Sequence, residues 1–225
     1  ITYMRTDSIN LSKEAVAAAR SAISEMYGNE YMPQSPRKYK GKAKNAQEAH
    51  EAIRPAGSKF ILPEQLKSKL ENNEFKLYDL IWKRTVASQM SSAKLQKTIV
   101  SITDGEHKFS ASGKIIEFPG FMRAYVEGTD NPETQLDDKE KKLPDMNEGD
   151  VLECKSLEAK QHFTKPTNRF TEASLVKELE ALGIGRPSTY ASIMKRIQDK
   201  GYVNRVKGTM IPTFTGYAVV QFLEK

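Results

Sequence analysis

The hydrophobic period changes twice along this chain, and that limits what it can fold into more than any other feature. Up to about residue 90 the apolar positions recur three and four apart. From Lys94 they alternate, and beyond residue 170 the helical spacing returns. With 225 residues there is room for two or three small domains. The changes of period divide the chain into residues 1–90 (mixed α/β), 91–160 (β-rich) and 161–225 (helical), a multidomain α+β protein.

In the first block, Val16, Ala19, Ile23 and Met26 follow Ser12 at helical spacing, and Gly28 closes the segment. Arg37, Lys38, Lys40, Lys42 and Lys44 predict an exposed basic loop over 29–45. A short helix is expected over 46–53, because Pro55 disfavours helix at Arg54. A single long helix is expected from Pro63 to about Met90. In the second block, strands over 98–102 and 108–116 flank the turn signal Asp104-Gly105. Further strands are expected at Tyr125 and over 151–157, with a mobile polar loop over 129–149 between them. In the third, a helix over 172–182 has Thr171 as N-cap and Gly183 beyond its end. A second runs from Pro187 to Gly201, followed by a hairpin around Lys207-Gly208. That order of helix, glycine turn, helix and hairpin is often used to hold DNA.

Composition narrows the function. One cysteine, Cys154, allows no internal disulfide, and three scattered histidines give no zinc spacing. There is no run of about 18 apolar residues to span a membrane, and the amino terminus lacks the pattern of a signal peptide. The chain opens at Ile1 inside what reads as a strand, so Ile1 is taken as a truncation point or internal cut, and a reducing cytoplasm as the compartment. The net charge of +6 and a pI near 9.2 favour a polyanionic partner.

The first residues carry the most specific chemistry. Ile1-Thr-Tyr-Met-Arg-Thr-Asp-Ser8 puts Arg5 two positions after Tyr3, and in a strand these side chains share a face. A phenol is a poor nucleophile at neutral pH, since it ionises only near pH ~10. A guanidinium beside it lowers that value and binds a phosphate through planar donors. Attack on a phosphodiester would give a phosphotyrosine link that stores the bond for rejoining. A strand tyrosine followed by Thr-Asp-Ser turn residues satisfies the same spacing. On a helix, His50 and Arg54 would stand one above the other, both within reach of a phosphate. Arg186, Ser188 and Thr189 open the helix after Pro187, where unpaired N–H groups and the helix dipole favour an anion. Ser188 is equally able to cap that helix. Lys200, with Lys195 and Arg196, suits a phosphate backbone or a solvated face.

Three segments, in order, carry a family resemblance. Ile1-Thr-Tyr-Met-Arg-Thr-Asp-Ser8 resembles the active-site motif of bacterial type IA DNA topoisomerases. Residues 48–55, Glu-Ala-His-Glu-Ala-Ile-Arg-Pro, are similar to the family's second motif. Arg169-Phe-Thr-Glu-Ala-Ser-Leu-Val-Lys-Glu-Leu-Glu180, with Gly183-Ile-Gly-Arg-Pro-Ser-Thr-Tyr-Ala191, resembles the third. The resemblance covers nearly the whole chain. It implies part of a toroidal enzyme: a tyrosine domain, an arch domain and a helical DNA-binding domain, each partial. It implies that Tyr3 is the nucleophile forming a transient link to a DNA 5′ phosphate, that Arg5 stabilises the phosphate charge, and that His50 is a second positive contact. It implies single-stranded and negatively supercoiled DNA as partner, relaxation without ATP, and a monomer joined to the rest of the same polypeptide.

The family's Mg²⁺ is held by carboxylates of a Toprim domain that precedes the tyrosine, and those are not found in this sequence. The nearest acidic group, Asp137-Asp138 with Glu140, sits in a Lys-rich loop and reads as solvated. The chain alone is therefore expected to be inactive. Two rivals remain. A non-enzymatic winged-helix-like DNA module would account only for residues 170–212. A reverse gyrase would share the motifs but add a helicase-like half with a phosphate-binding loop, of which this sequence has no example.

Overall fold

The computed structural model describes residues 1–3, 8–39, 51–126 and 142–224. It is a mixed α+β chain of two units, Ile1–Gln96 with Ile115–Gly128, and Lys97–Lys114 with Thr129–Lys225. No helix of the described residues is long and apolar enough to cross a membrane.

In the first unit, helix α1 (Lys13–Met26) begins where the Ser12 hydroxyl accepts the Ala15 N–H at 3.2 Å. Its buried face is Ala15, Ala18, Ala19, Ala22 and Ile23. The expected stripe through Val16 and Met26 is thus turned by one position, and Met26 is exposed. Four alanines on one face let α1 approach its neighbour closely. The single long helix expected from Pro63 is two helices, α2 (Pro63–Leu66) and α3 (Asn72–Ser88). The break has a local cause: the Glu71 N–H is taken by the Glu74 carboxylate at 3.1 Å, which starts a new helix there. Trp82, Val86 and Met90 then close the core against Ile23, Tyr31 and Phe60.

Arg37 is not part of a free basic loop. Its guanidinium donates to Met90 O (2.6 Å) and Ser92 Oγ (2.7 Å). Its backbone pairs with the buried Gln89 amide, N–H to Oε1 at 3.1 Å and Nε2 to O at 3.2 Å. Lys40, Lys42 and Lys44 lie outside the described residues.

The alternating segment forms β1 (Lys94–Asp104) and β2 (His107–Phe118), longer than expected and joined at Gly105-Glu106, with Gly105 at φ +55°. A turn that short leaves only antiparallel pairing. Where β2 ends, Gly120 sits at φ +51° and the Phe121 N–H donates to Ser91 O at 2.9 Å. A Cβ on Gly120 would lie 2.5 Å from Ala93 N and from Ser92 C, both backbone atoms. Gly120→Ala is therefore expected to destabilise this unit by about 2–4 kcal/mol, combining forbidden φ with a clash that no rotamer relieves. Urea unfolding with an unchanged midpoint would contradict this. Tyr125 is in no strand: its N–H closes a turn onto Phe121 O (3.0 Å), and Arg84 lies 5.6 Å over its ring.

In the second unit, residues 142–170 form neither helix nor strand, so the expected strand over 151–157 is absent. Alternation marks a segment able to pair, but a strand needs a neighbour. The sheets of the described residues are two hairpins, β1-β2 and one further on. Most of the expected 129–149 loop lies outside the described residues. The helices and hairpin beyond are as expected. Helix α4 (Glu172–Ala181) is capped reciprocally, Ser174 N–H to Thr171 Oγ1 (3.2 Å) and Thr171 N–H to Ser174 Oγ (2.8 Å), and Gly183 follows at φ +71°. Then come α5 (Pro187–Asp199), β3 (Val203–Val206) and β4 (Thr209–Pro212), antiparallel in the register Val203↔Pro212 to Val206↔Thr209. The turn residues Lys207 and Gly208 both have positive φ, the geometry a two-residue hairpin requires. A last helix, α6 (Phe214–Leu223), was not expected. Its N-cap, Thr213, accepts the Gly216 N–H (3.1 Å) and donates to Gly201 O (2.6 Å).

Candidate active site around Tyr3

Residues 51–54 run between two other segments of the first unit and bind both. On one side the Ala52 N–H donates to Asn10 O (2.8 Å), and the Ser12 N–H donates to Glu51 Oε1 (2.8 Å). On the other, the Thr2 N–H donates to Arg54 O (2.9 Å), and the Arg54 N–H donates to Thr2 Oγ1 (3.0 Å). The Thr2 hydroxyl donates to Ala52 O (3.1 Å). Thr2 is thus fixed at both its backbone and its side chain, while the next residue, Tyr3, is 83% exposed. The first and second sequence motifs, some fifty residues apart, meet here through these bonds.

Arg54 does not stand on a helix. Residues 51–53 are not helical, and Arg54 is only 6% exposed. Its Nε and Nη2 donate to the two oxygens of Glu51 (2.8 and 3.1 Å), and its Nη1 donates to Pro55 O (2.8 Å) and Gly57 O (3.2 Å). The expected exposed phosphate contact is corrected to an internal cation that folds the loop after Pro55. Burial alone would push the Glu51 carboxyl upward, but the bonds from Arg54 and Ser12 outweigh it and hold the group below its ordinary value. Glu51, given no part in the sequence reading, is therefore the centre of this loop. Its only sequence signal is a position three residues before an arginine, which does not show that the arginine is buried. Arg5 and His50 lie outside the described residues.

The other predicted contacts lie in the second unit. Arg186 is the exposed N-cap of α5, with Nη1 donating to Gly185 O at 2.7 Å. The Thr189 hydroxyl accepts the Arg186 N–H (2.8 Å) and donates to Arg186 O (3.0 Å), so its first use is to cap the helix. Ser188 is exposed in the first turn of α5, and Lys200 is exposed at its C-cap.

Among the described residues no three His, Cys, Asp or Glu side chains gather into a metal site, and Asp137, Asp138 and Glu140 lie outside them. The described residues offer no ligand set for a divalent cation.

The whole chain, residues 1–225, matches the DNA topoisomerase family, and it belongs to that family. It is 55% identical to DNA topoisomerase 1 of Synechococcus elongatus over 225 residues, all of this chain and 25% of that protein. It is 54% identical to DNA topoisomerase 1 of Streptomyces coelicolor over 230 residues, again the whole chain and 24% of the relative. Full-length topoisomerase I from Thermotoga maritima has a similar structure, with a TM-score of 0.74 at 35% identity, covering 99% of this chain and 34% of that one. The chain thus spans about a quarter of the length of the curated relatives it matches.

Proposed function

We propose that this chain is the tyrosine-bearing segment of a type IA DNA topoisomerase, which relaxes negatively supercoiled DNA by cutting and rejoining one strand. The observation that carries the reading is that residues 52–54 of the second motif fix the backbone of the first at Thr2, next to Tyr3. The Tyr3 oxygen attacks a backbone phosphorus and gives up its proton. The bond from phosphorus to the 3′ oxygen breaks, and that oxygen takes a proton as it leaves. The DNA 5′ phosphate stays on Tyr3 until the 3′ hydroxyl attacks in reverse, so no ATP is spent. Arg5 holds the nonbridging oxygens through its planar donors, and His50 adds a second positive contact. Mg²⁺ belongs to a Toprim domain of the same polypeptide. Residues 1–90, 91–160 and 161–225 are parts of the tyrosine, arch and DNA-gripping domains of a monomeric toroid in the bacterial cytoplasm.

The order α4, α5, β3, β4 is that of a helix-turn-helix followed by a wing. Under this reading it grips the same DNA through Arg186, Ser188 and Lys200, so a separate non-enzymatic module is not needed. The relatives' name favours topoisomerase I over reverse gyrase.

Titration of a labelled single-stranded oligonucleotide with the purified chain tests the binding half of this reading. Binding is expected to be weak and to fall steeply with salt, by roughly 0.7 in log–log slope for each phosphate contacted. The chain alone is expected to leave supercoiled plasmid unrelaxed with or without Mg²⁺. Salt-independent binding, or relaxation by this chain alone, would contradict it.

A further inference from the structure

We infer that Thr2 is a positioning residue for cleavage, acting on Tyr3 through the Glu51–Arg54 clamp; this rests on Tyr3 being the nucleophile. The reach of the Tyr3 side chain depends on the backbone that carries it. That backbone is fixed at the preceding residue, where the Thr2 hydroxyl accepts from the Arg54 N–H at 3.0 Å and donates to Ala52 O at 3.1 Å. The Thr2 N–H adds a third bond, to Arg54 O at 2.9 Å.

These partners are themselves immobilised. Arg54 is 6% exposed and gives four hydrogen bonds to Glu51, Pro55 and Gly57, while Glu51 takes the Ser12 N–H at the start of α1. A continuous chain of bonds therefore leads from the rigid helix α1 to the residue before the nucleophile. Tyr3 is thereby aligned through the backbone that precedes it. Thr2 touches no reacting atom in this scheme. Its hydroxyl sets where the phenol points.

Thr2→Val keeps the branched shape and removes only the hydroxyl, whereas Thr2→Ser keeps the hydroxyl. In the complete polypeptide, single-turnover cleavage of a single-stranded oligonucleotide by Thr2→Val is expected to slow roughly 10- to 100-fold, the scale of a small misalignment. Its DNA dissociation constant should match the parent, its melting temperature should fall by only a few degrees for the two lost hydrogen bonds, and Thr2→Ser should restore cleavage to within a few-fold. Parental cleavage by Thr2→Val would overturn the inference while leaving Tyr3 as nucleophile. So would a melting temperature lowered in step with rate and not rescued by Ser, since that marks a merely structural hydroxyl. Adduct formation by Tyr3→Phe would instead sink the underlying reading.

Discussion

Tyr3→Phe, in the complete polypeptide, is expected to abolish the covalent protein–DNA adduct while leaving DNA affinity within about a factor of two. Only the phenolic oxygen is removed. The ring itself is kept, so its packing is unchanged. The neighbouring Thr2 spends its hydroxyl on Ala52 and Arg54. Loss of a nucleophile commonly costs ~10⁶-fold in the chemical step, which places residual cleavage below detection on a denaturing gel. Near-parental affinity separates a chemical defect from a folding one.

Glu51→Ala is expected to give the largest loss of stability of any single change at the site, about 2–4 kcal/mol. The variant leaves the Arg54 guanidinium buried without its anion and frees the Ser12 N–H at the start of α1. Glu51→Gln should lose less, because the amide oxygen can still accept one of these bonds. The same carboxylate gives a pH signature. Its folded pKa lies below the ordinary 4.5, so the stability it contributes is full above that value. It is lost as pH falls through the lower, folded value. Acid unfolding of the parent and of Glu51→Gln should therefore converge as pH drops below 4.5. A constant gap between their unfolding midpoints across that range would show that the charge does not matter.

What could be read from the sequence was what neighbouring residues decide. Thr171 caps the helix it was expected to cap, the helix expected after Ser12 begins there, and Lys207-Gly208 makes a hairpin because both residues accept positive φ. The errors came from contacts between distant segments. Residues 46–53 and Arg54 suggested a helical face, but residues 51–54 are held between residues 2 and 10–12, and that bonding turns Arg54 inward. Local spacing cannot show which side chains such a sandwich buries, so Glu51 and Thr2 went unnoticed. Arg37 was counted with its basic neighbours, although Gln89, Met90 and Ser92 claim it from fifty residues away. The strand expected over 151–157 failed because alternation supplies one edge of a ladder and not the other. Helix α6 was missable only because its start was not sought: Thr213 followed three residues later by Gly216, whose missing side chain lets the helix lie against Tyr202 O.

The most direct test is to locate the covalent bond. The complete polypeptide is incubated with a single-stranded oligonucleotide, quenched with denaturant, and digested with nuclease and protease, and the nucleotide-bearing peptide is sequenced by mass spectrometry. A 5′-phosphate nucleotide on Tyr3 is the predicted result. Attachment to another residue, or plasmid relaxation with no nucleotide ever trapped on Tyr3, would contradict it.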